Sequence, residues 1–184
     1  MKRILILGNA GAGKSTLARQ LGEVLRLPVV HLDALFWRPG WKDMPRDEWA
    51  RLVTSLVARD AWIMDGNYLG TLPARLTAAD AVVVLNVPRV LCLYRVLVRG
   101  VTQRGQHRAD LGEGCAEQLP DLAFLRWIWR FPQDDLQPVL EQVNAVRSTK
   151  SVTILHSIAD AQRYVHELRA QSLVQTSAAQ VQAI

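Results

Sequence analysis

The chain has 184 residues, 49% of them hydrophobic, and a net charge of +5, which suits one domain with a substantial core. No apolar run approaches the length of a membrane span, and the apolar segment near the N-terminus is too short for a signal peptide and lacks a cleavage site. Cys92 and Cys115 have neither metal-ligand spacing nor the pattern of a disulfide framework. We therefore predict a cytoplasmic protein without a membrane partner.

Predicted strands and helices alternate along the chain. The apolar segment 3–7 is typical of a strand buried on both faces of a parallel sheet. Trp49, Leu52, Val53 and Leu56 recur at the spacing of an amphipathic helix. The order predicts an α/β fold, a three-layer αβα sandwich around a five-stranded parallel sheet. The other predicted strands are 29–32, 62–64, 81–85 and 152–155, and the predicted helices are the segment after the glycine-rich turn, 45–58, 89–100, 119–146 and 158–170.

The glycine-rich turn GNAGAGKS (8–15) matches the G-x-x-x-x-G-K-[ST] pattern of a phosphate-binding loop, and it lies between a predicted buried strand and a helix. Its glycines let backbone N–H groups point at phosphate oxygens, and the helix adds its positive N-terminal end. Lys14 would contact the β- and γ-phosphates, and the Ser15 hydroxyl would bind Mg²⁺. The predicted nucleotide-binding residues are Gly8, Asn9, Ala10, Gly11, Ala12, Gly13, Lys14, Ser15 and Thr16.

Several classes of P-loop protein are disfavoured by what the chain lacks. It has no N-K-x-D element to read guanine, no signature glycine segment of a transporter ATPase, and less length than an oligomeric ATPase usually needs. A compact nucleotide-dependent phosphotransferase remains. We predict ATP and Mg²⁺ as its cofactors, and the preference for ATP over GTP stays open. Asp65, at the carboxyl end of the predicted third strand, is a second candidate Mg²⁺ ligand, although an aspartate before a glycine is also common as a turn or cap residue.

A basic stretch runs from Arg89 to Arg108 and contains five arginines and no acidic residue. Such stretches are often solvated surface or weak binders of nucleic acid. Together with GNAGAGKST (8–16) and RAD (108–110), the pair Arg95 and Arg99 resembles the adenylate-kinase-like family of small kinases. The resemblance implies the P-loop nucleoside-triphosphate hydrolase fold with a short lid.

Other motifs give a closer resemblance to bacterial DNA topology modulation proteins, a FlaR-like group related to adenylate kinases. This resemblance covers about residues 3–165 and does not imply a particular substrate. The motifs that carry it are HLDALFWRPGW (31–41), WIMDGNY (62–68), RADLGEGCAE (108–117) and FLRWIW (124–129).

The resemblance implies roles for the basic stretch. Arg95 would stack on the nucleobase, and Arg99 would contact the phosphates. Arg104 and Arg108 would belong to a lid, at about 101–118, that closes over the donor and neutralises charge during transfer. Residues 1–174 are then expected to form a single kinase domain. The polar segment 175–184 is expected to be a disordered tail.

The resemblance also implies an acceptor-side segment at about 33–60. Asp33 would accept the proton of the attacking hydroxyl or orient it, unless it is only a capping residue. The aromatic residues would line the acceptor pocket or pin the following helix to the sheet; both alternatives stay open. The predicted catalytic residues are Lys14, Asp33, Arg99, Arg104 and Arg108, and the predicted acceptor-binding residues are Asp33, Trp37, Arg38, Trp41, Asn67, Tyr68 and Arg75.

One departure from nucleoside-monophosphate kinases bears on the acceptor. Those enzymes carry an arginine shortly after the aspartate–glycine pair of strand three, whereas this chain reads DGNY (65–68), with Arg75 as the nearest basic residue. AMP is therefore disfavoured as the acceptor. The expected partner is a small-molecule or nucleotide acceptor, and the oligomeric state, monomer or dimer, stays open. A nucleotide-dependent DNA-binding protein is the alternative, disfavoured because the chain shows no helix-turn-helix or comparable DNA-reading motif.

Overall fold

A computed structural model describes the backbone of residues 1–181 and the side chains of residues 1–172. Strands and helices alternate as the sequence predicts. The elements are β1 (Arg3–Gly8), α1 (Lys14–Leu25), β2 (Val29–His31), α2 (Leu32–Phe36), β3 (Trp37–Arg38), β4 (Lys42–Asp43), α3 (Arg46–Val57), β5 (Trp62–Asp65), a 3₁₀ turn (Leu69–Thr71), α4 (Leu72–Ala78), β6 (Ala81–Leu85), α5 (Arg89–Thr102), α6 (Leu122–Asp134), α7 (Leu136–Ala145), β7 (Ser151–Leu155) and α8 (Ile158–Val181).

The main sheet has five parallel strands in the order β2–β5–β1–β6–β7. Strand β1 lies at its centre, and Ile4 to Leu7 are fully buried because helices cover both faces. Leu5 and Leu7 pack toward α3, α4 and α7, whereas Ile4 and Ile6 pack toward α1, α5 and α8. Because side chains alternate along the strand, β1 contributes to two hydrophobic cores, one on each face of the sheet. The predicted three-layer α/β fold with a five-stranded parallel sheet is confirmed.

Parallel strands bring the segments that follow them to one edge of the sheet. The P-loop follows β1, α2 follows β2, and the DGNY turn follows β5, which lies between those two strands. Three segments that are distant in sequence therefore meet above the carboxyl ends of adjacent strands. This is the edge where open α/β sheets bind ligands.

Some predicted elements differ from the observed ones. The predicted helix 119–146 is two helices, α6 and α7. Pro138 accounts for the break, because a proline lacks the N–H that would bond the carbonyl oxygen four residues earlier, at Asp134 where α6 ends, whereas in the first turn of α7 it is tolerated. The antiparallel pair β3–β4 and helix α4 were not predicted. Helix α8 continues into the predicted tail as far as Val181, and residues 182–184 lie outside the described part of the chain.

Within the described part of the chain, none of the helices has the combination of length and apolar character that crossing a bilayer requires.

Candidate active site

A cleft of about 1110 Å³ opens above the carboxyl edge of the sheet. Its walls come from the P-loop, α2 with the β3–β4 hairpin, the DGNY turn, α5, α6 and the lid. The cleft therefore brings together most of the residues that the sequence singled out. The predicted site residues that line it are Ala10, Gly11, Ala12, Gly13, Lys14, Ser15, Thr16, Asp33, Trp37, Trp41, Asn67, Tyr68, Arg95, Arg99 and Arg108.

The P-loop has the backbone that a phosphate cradle requires. Gly8 and Gly11 have positive φ angles of 144° and 77°. A Cβ atom at Gly8 would lie 2.6 Å from the Leu85 carbonyl oxygen, and one at Gly11 would lie 2.4 Å from the Cys92 carbonyl oxygen. Only glycine fits at both positions. Helix α1 begins at Lys14, so the free N–H groups of its first turn face the cleft.

The first two P-loop residues act on the loop itself. Gly8 and Asn9 do not line the cleft. Asn9 is buried, and its side-chain amide donates to the Ile128 carbonyl oxygen of α6 at 2.9 Å. Lys14 Nζ donates to the Asn9 carbonyl oxygen at 3.0 Å. The loop is thus anchored to the core while its ammonium group stays at the cleft.

Asn67, predicted to bind the acceptor, lines the cleft and hydrogen-bonds the P-loop. The Gly8 N–H donates to Asn67 Oδ1 at 3.1 Å, and Asn67 Nδ2 donates to the Gly8 carbonyl oxygen at 2.9 Å. This two-bond contact joins the DGNY turn after β5 to the P-loop after β1. Asn67 therefore fixes the position of the DGNY turn relative to the P-loop.

Asp33 lies in the first turn of α2, partly buried at the cleft. Burial raises the pKa of its carboxyl group above the ordinary 3.8, and the carboxylates of Asp65 and Asp110 raise it further. The Lys14 ammonium group and a 2.6 Å hydrogen bond from the Tyr68 hydroxyl act in the opposite direction. An aspartate with a raised pKa beside the P-loop lysine has the properties of a general base.

Asp65 ends β5 and is buried just below the cleft, so it does not line the cavity. Its Oδ1 contacts His31 Nδ1 at 2.9 Å, whereas Oδ2 has no hydrogen-bond partner among the described residues. A buried carboxylate oxygen without a partner suits a cation or a cation-bound water. Among the described residues, no cluster of three or more histidine, cysteine or acidic side chains could hold a metal ion. The Asp65 carboxylate nevertheless fits Mg²⁺, because this ion keeps several bound waters and is usually held by one or two carboxylates together with substrate phosphates.

The lid meets the P-loop through a residue that sequence reasoning missed. Asp110 is buried, lines the cleft and accepts a hydrogen bond from the Ser15 hydroxyl. Burial alone would raise the pKa of Asp110, but the Arg108 guanidinium and the Ser15 hydroxyl outweigh it and lower the pKa. Asp110 is therefore ionised beside the P-loop serine, where Mg²⁺ is expected.

The arginines of the basic stretch divide into two groups. Arg95, Arg99 and Arg108 line the cleft, but Arg104 is exposed and points elsewhere. The structure thus does not bring Arg104 to the site. Arg99 and Arg108 are not free cations, because both bind the buried carboxylate of Glu117.

Aromatic side chains form the acceptor-side wall. Trp37 and Trp41 line the cleft with their ring centroids 5.6 Å apart, and Phe36 packs against Trp37, Trp49 and Tyr68. The cluster thus faces the cavity and also contacts Trp49 of α3, and its role in binding an acceptor stays a prediction. Trp41 and Tyr68 have left-handed backbones, with φ angles of 60° and 36°. Such conformations are strained in non-glycine residues and concentrate at functional sites.

The lid packs on this wall through the β3–β4 hairpin. Trp41 Nε1 donates to the Ala116 carbonyl oxygen at 3.2 Å, and the Cys115 thiol donates to the Arg38 carbonyl oxygen at 3.1 Å. Gly112 approaches the hairpin so closely that a Cβ atom there would lie 2.1 Å from the Trp37 carbonyl oxygen. Lid and acceptor wall are therefore in direct contact.

Two arginines predicted to bind the acceptor do not reach the cleft. Arg38 is exposed and forms an ion pair with Glu48. Arg75 is fully buried under the DGNY turn, where burial lowers its pKa to about 9. Its guanidinium donates to the carbonyl oxygens of Gly66, Asn67 and Tyr68. Arg75 thus holds the turn in place and does not line the cleft.

Further cleft residues lay outside the sequence-based predictions. Phe124 and Trp127 of α6 are stacked with their centroids 5.7 Å apart, and both line the cleft, as do Arg19 and Glu117. Their helical spacing is equally typical of core packing, so the aromatic pair gave no separate signal. Glu117 and Asp110 were present in a motif but had no local feature that marked them as buried.

The chain has the fold of P-loop nucleoside-triphosphate hydrolases, with its glycine-rich loop at the carboxyl edge of the parallel sheet. No family model matches the chain, and no curated protein matches it. Among solved structures it is similar to a gluconokinase from Sinorhizobium meliloti 1021, with a TM-score of 0.51 and 15% identity over 100% of this chain and 98% of that one. It is also similar to a shikimate kinase from Acinetobacter baumannii in complex with shikimate, with a TM-score of 0.54 and 19% identity over 96% and 94% of the two chains. At these identities the likeness shows the shared fold alone.

Proposed function

We propose that the protein is an ATP-dependent kinase that transfers the γ-phosphoryl group to a hydroxyl of a small acceptor. The observation that carries the proposal is that Lys14 and Asp33 face one cleft and are close enough for the ammonium group to lower the pKa of the carboxyl. A cation suited to bind phosphate and a carboxylate suited to act as a general base thus share one cleft, which supports the proposal.

The residues support an in-line transfer. The acceptor oxygen bonds to the γ-phosphorus as the bond to the β–γ bridging oxygen breaks, ADP leaves, and the hydroxyl proton passes to Asp33. Lys14, Arg99 and Arg108 would stabilise charge on the phosphoryl oxygens, and Arg95 would contact the base. Ser15 would hold Mg²⁺, with Asp65 acting directly or through water; bound Mg²⁺ would neutralise the β- and γ-phosphate charge.

We infer that the acceptor is uncharged around its reacting hydroxyl. Asp33 lies within electrostatic range of Asp65 and Asp110, so an anionic group beside it would be repelled. The arginines expected to bind such a group are diverted, since Arg38 pairs with Glu48 and Arg75 is buried. The two named structural neighbours are a gluconokinase and a shikimate kinase, which favours a hydroxylated small molecule over a nucleoside monophosphate.

The alternative function, DNA binding, would use the basic stretch on the outside of the protein. Instead Arg95, Arg99 and Arg108 line the cleft. The position of these arginines in the cleft favours a kinase over a DNA-binding protein. It is also compatible with a kinase related to the topology modulation proteins.

The proposal is tested by ATP turnover with a panel of neutral sugars and polyols, nucleosides, nucleoside monophosphates and duplex DNA, with mass spectrometry of the products. We expect Mg²⁺-dependent formation of ADP and one phosphorylated small molecule whose accepting hydroxyl has no charged group beside it. The Lys14→Ala variant should form neither. Turnover stimulated by DNA alone, with no phosphorylated small molecule, would favour the alternative.

A further inference from the structure

Glu117 joins two arginines of the cleft. Arg99 Nε donates to Glu117 Oε1 at 3.0 Å, and an Arg108 guanidinium nitrogen donates to Glu117 Oε2 at 2.7 Å. Arg108 is held on its other side by both carboxylate oxygens of Asp110. The side chain of Glu117 is 7% exposed, whereas those of Arg99 and Arg108 are 27% and 20% exposed. The carboxylate is thus sequestered and the guanidinium groups keep open surface.

The backbone of the lid holds this carboxylate in place. The Glu117 N–H donates to the Gln106 carbonyl oxygen, and the Gly105 N–H donates to the Glu117 carbonyl oxygen, each at 2.9 Å. These two hydrogen bonds join Gly105 and Gln106, near the start of the lid, to Glu117, near its end. Glu117 is therefore located independently of the side chains it contacts.

Two guanidinium groups that share a cleft repel each other, and in a partly buried setting that repulsion is weakly screened. A carboxylate between them offsets the repulsion and fixes the planes of both, because each guanidinium donates in a rigid fork. The free edges are then preorganised for a polyphosphate. The Glu117 carboxylate lowers the attraction of the two arginines for an anion. Its negative charge alone therefore does not explain a glutamate at this position.

We propose that Glu117 is a positioning residue that holds Arg99 and Arg108 side by side for the phosphates of the donor nucleotide. This inference rests on the proposed kinase function.

The test measures affinity for a Mg²⁺-bound, non-hydrolysable ATP analogue by calorimetry in wild type and Glu117→Gln. Loss of a negative charge near a polyanion would by itself tighten binding. Loss of positioning predicts the opposite, an affinity about tenfold weaker. Glu113→Gln serves as the matched control, because Glu113 is an exposed glutamate of the same lid. It should leave the affinity within about twofold of wild type.

A second comparison separates positioning from a general effect on the lid. In an Arg99→Ala/Arg108→Ala background, Glu117→Gln should produce no further loss, because the groups it acts through are gone. Unchanged or tighter binding in Glu117→Gln, or a loss of the same size in both backgrounds, would overturn the inference and leave the kinase function standing. A wild-type protein that binds no ATP analogue would overturn the kinase function, and the inference with it.

Discussion

The Tyr68 hydroxyl donates a 2.6 Å hydrogen bond to Asp33 Oδ1, joining the turn after β5 to the first turn of α2. Burial raises the pKa of Tyr68, and the adjacent Asp33 carboxylate raises it further. The phenol therefore stays a donor at neutral pH. A donor of this kind favours the ionised form of its partner, so Tyr68 limits how far burial raises the pKa of Asp33.

Tyr68→Phe should move the acid limb of the pH–rate profile to higher pH. The hydrogen bond from Tyr68 lowers the pKa of Asp33, so its removal raises that pKa, and a larger fraction of Asp33 is protonated at a given pH. Because the general base must be ionised, turnover should fall most below neutrality and recover as the pH rises. The measurement is kcat/KM against pH in both proteins. Superimposable profiles would exclude Asp33 as the titrating base.

Asp33→Asn should lower turnover by about 100-fold or more, which is the usual contribution of a general base. Affinity for Mg·ATP should not fall, because the substitution keeps the shape of the side chain and removes a negative charge from the cleft. Because the pKa of Asp33 is raised in the folded protein, the free energy of unfolding falls as the pH rises from the ordinary 3.8 to that raised pKa, and above it the carboxylate opposes folding by a constant amount. The melting temperature of the variant should therefore equal or exceed that of wild type at pH 8. Turnover at the wild-type rate would remove Asp33 from the chemistry.

Lys14→Ala should abolish detectable binding of Mg·ATP. The ammonium group would supply the point charge that binds the β- and γ-phosphates. To reach them, it would give up its hydrogen bond to the Asn9 carbonyl oxygen. Lys42→Ala, at an exposed lysine of β4, is the matched control and should bind as wild type does. Calorimetry measures the binding of Mg·ATP to each variant and to wild type. Equal heats for Lys14→Ala and wild type would contradict the assignment of the P-loop.

The P-loop could be predicted from sequence because its determinants are local. A strand, a glycine-rich turn and a helix follow one another within 25 residues, and the structure has the same order. Asp33 was predicted to lie at the ligand-binding edge for a similar reason, since it directly follows a predicted strand and so begins at the carboxyl edge of the parallel sheet.

The roles of Arg75, Arg38 and Glu117 could not be predicted in the same way. Arg75 was assigned to the acceptor because it is a cation near the DGNY turn, yet α4 buries it beneath that turn. Glu117 and Arg99 are joined by tertiary packing, as are Trp41 and the Ala116 carbonyl oxygen, which are 75 residues apart in the chain. A sequence pattern carries the type of a charged residue but not its partner, and the partner decides whether a charge faces a ligand or holds the fold.

Arg75→Met should destabilise the protein by about 3 kcal/mol, because the carbonyl oxygens of Gly66, Asn67 and Tyr68 lose a charged donor in a buried setting. Methionine keeps most of the volume, so loss of hydrogen bonds dominates over a cavity. The free energy of unfolding from urea titrations gives the size of the effect.

Arg38→Ala is the control for this variant, since its exposed ion pair with Glu48 contributes less than about 1 kcal/mol. The sequence predicted the same role for both arginines. From the structure we expect the loss of Arg75 to destabilise the protein more than the loss of Arg38. Arg75→Met should also lower turnover in the fraction that remains folded, because the turn that it supports carries both Asn67 at the P-loop and Tyr68 at Asp33. A folded Arg75→Met protein with wild-type stability and a selective rise in the KM for the acceptor would show instead that Arg75 reaches the substrate.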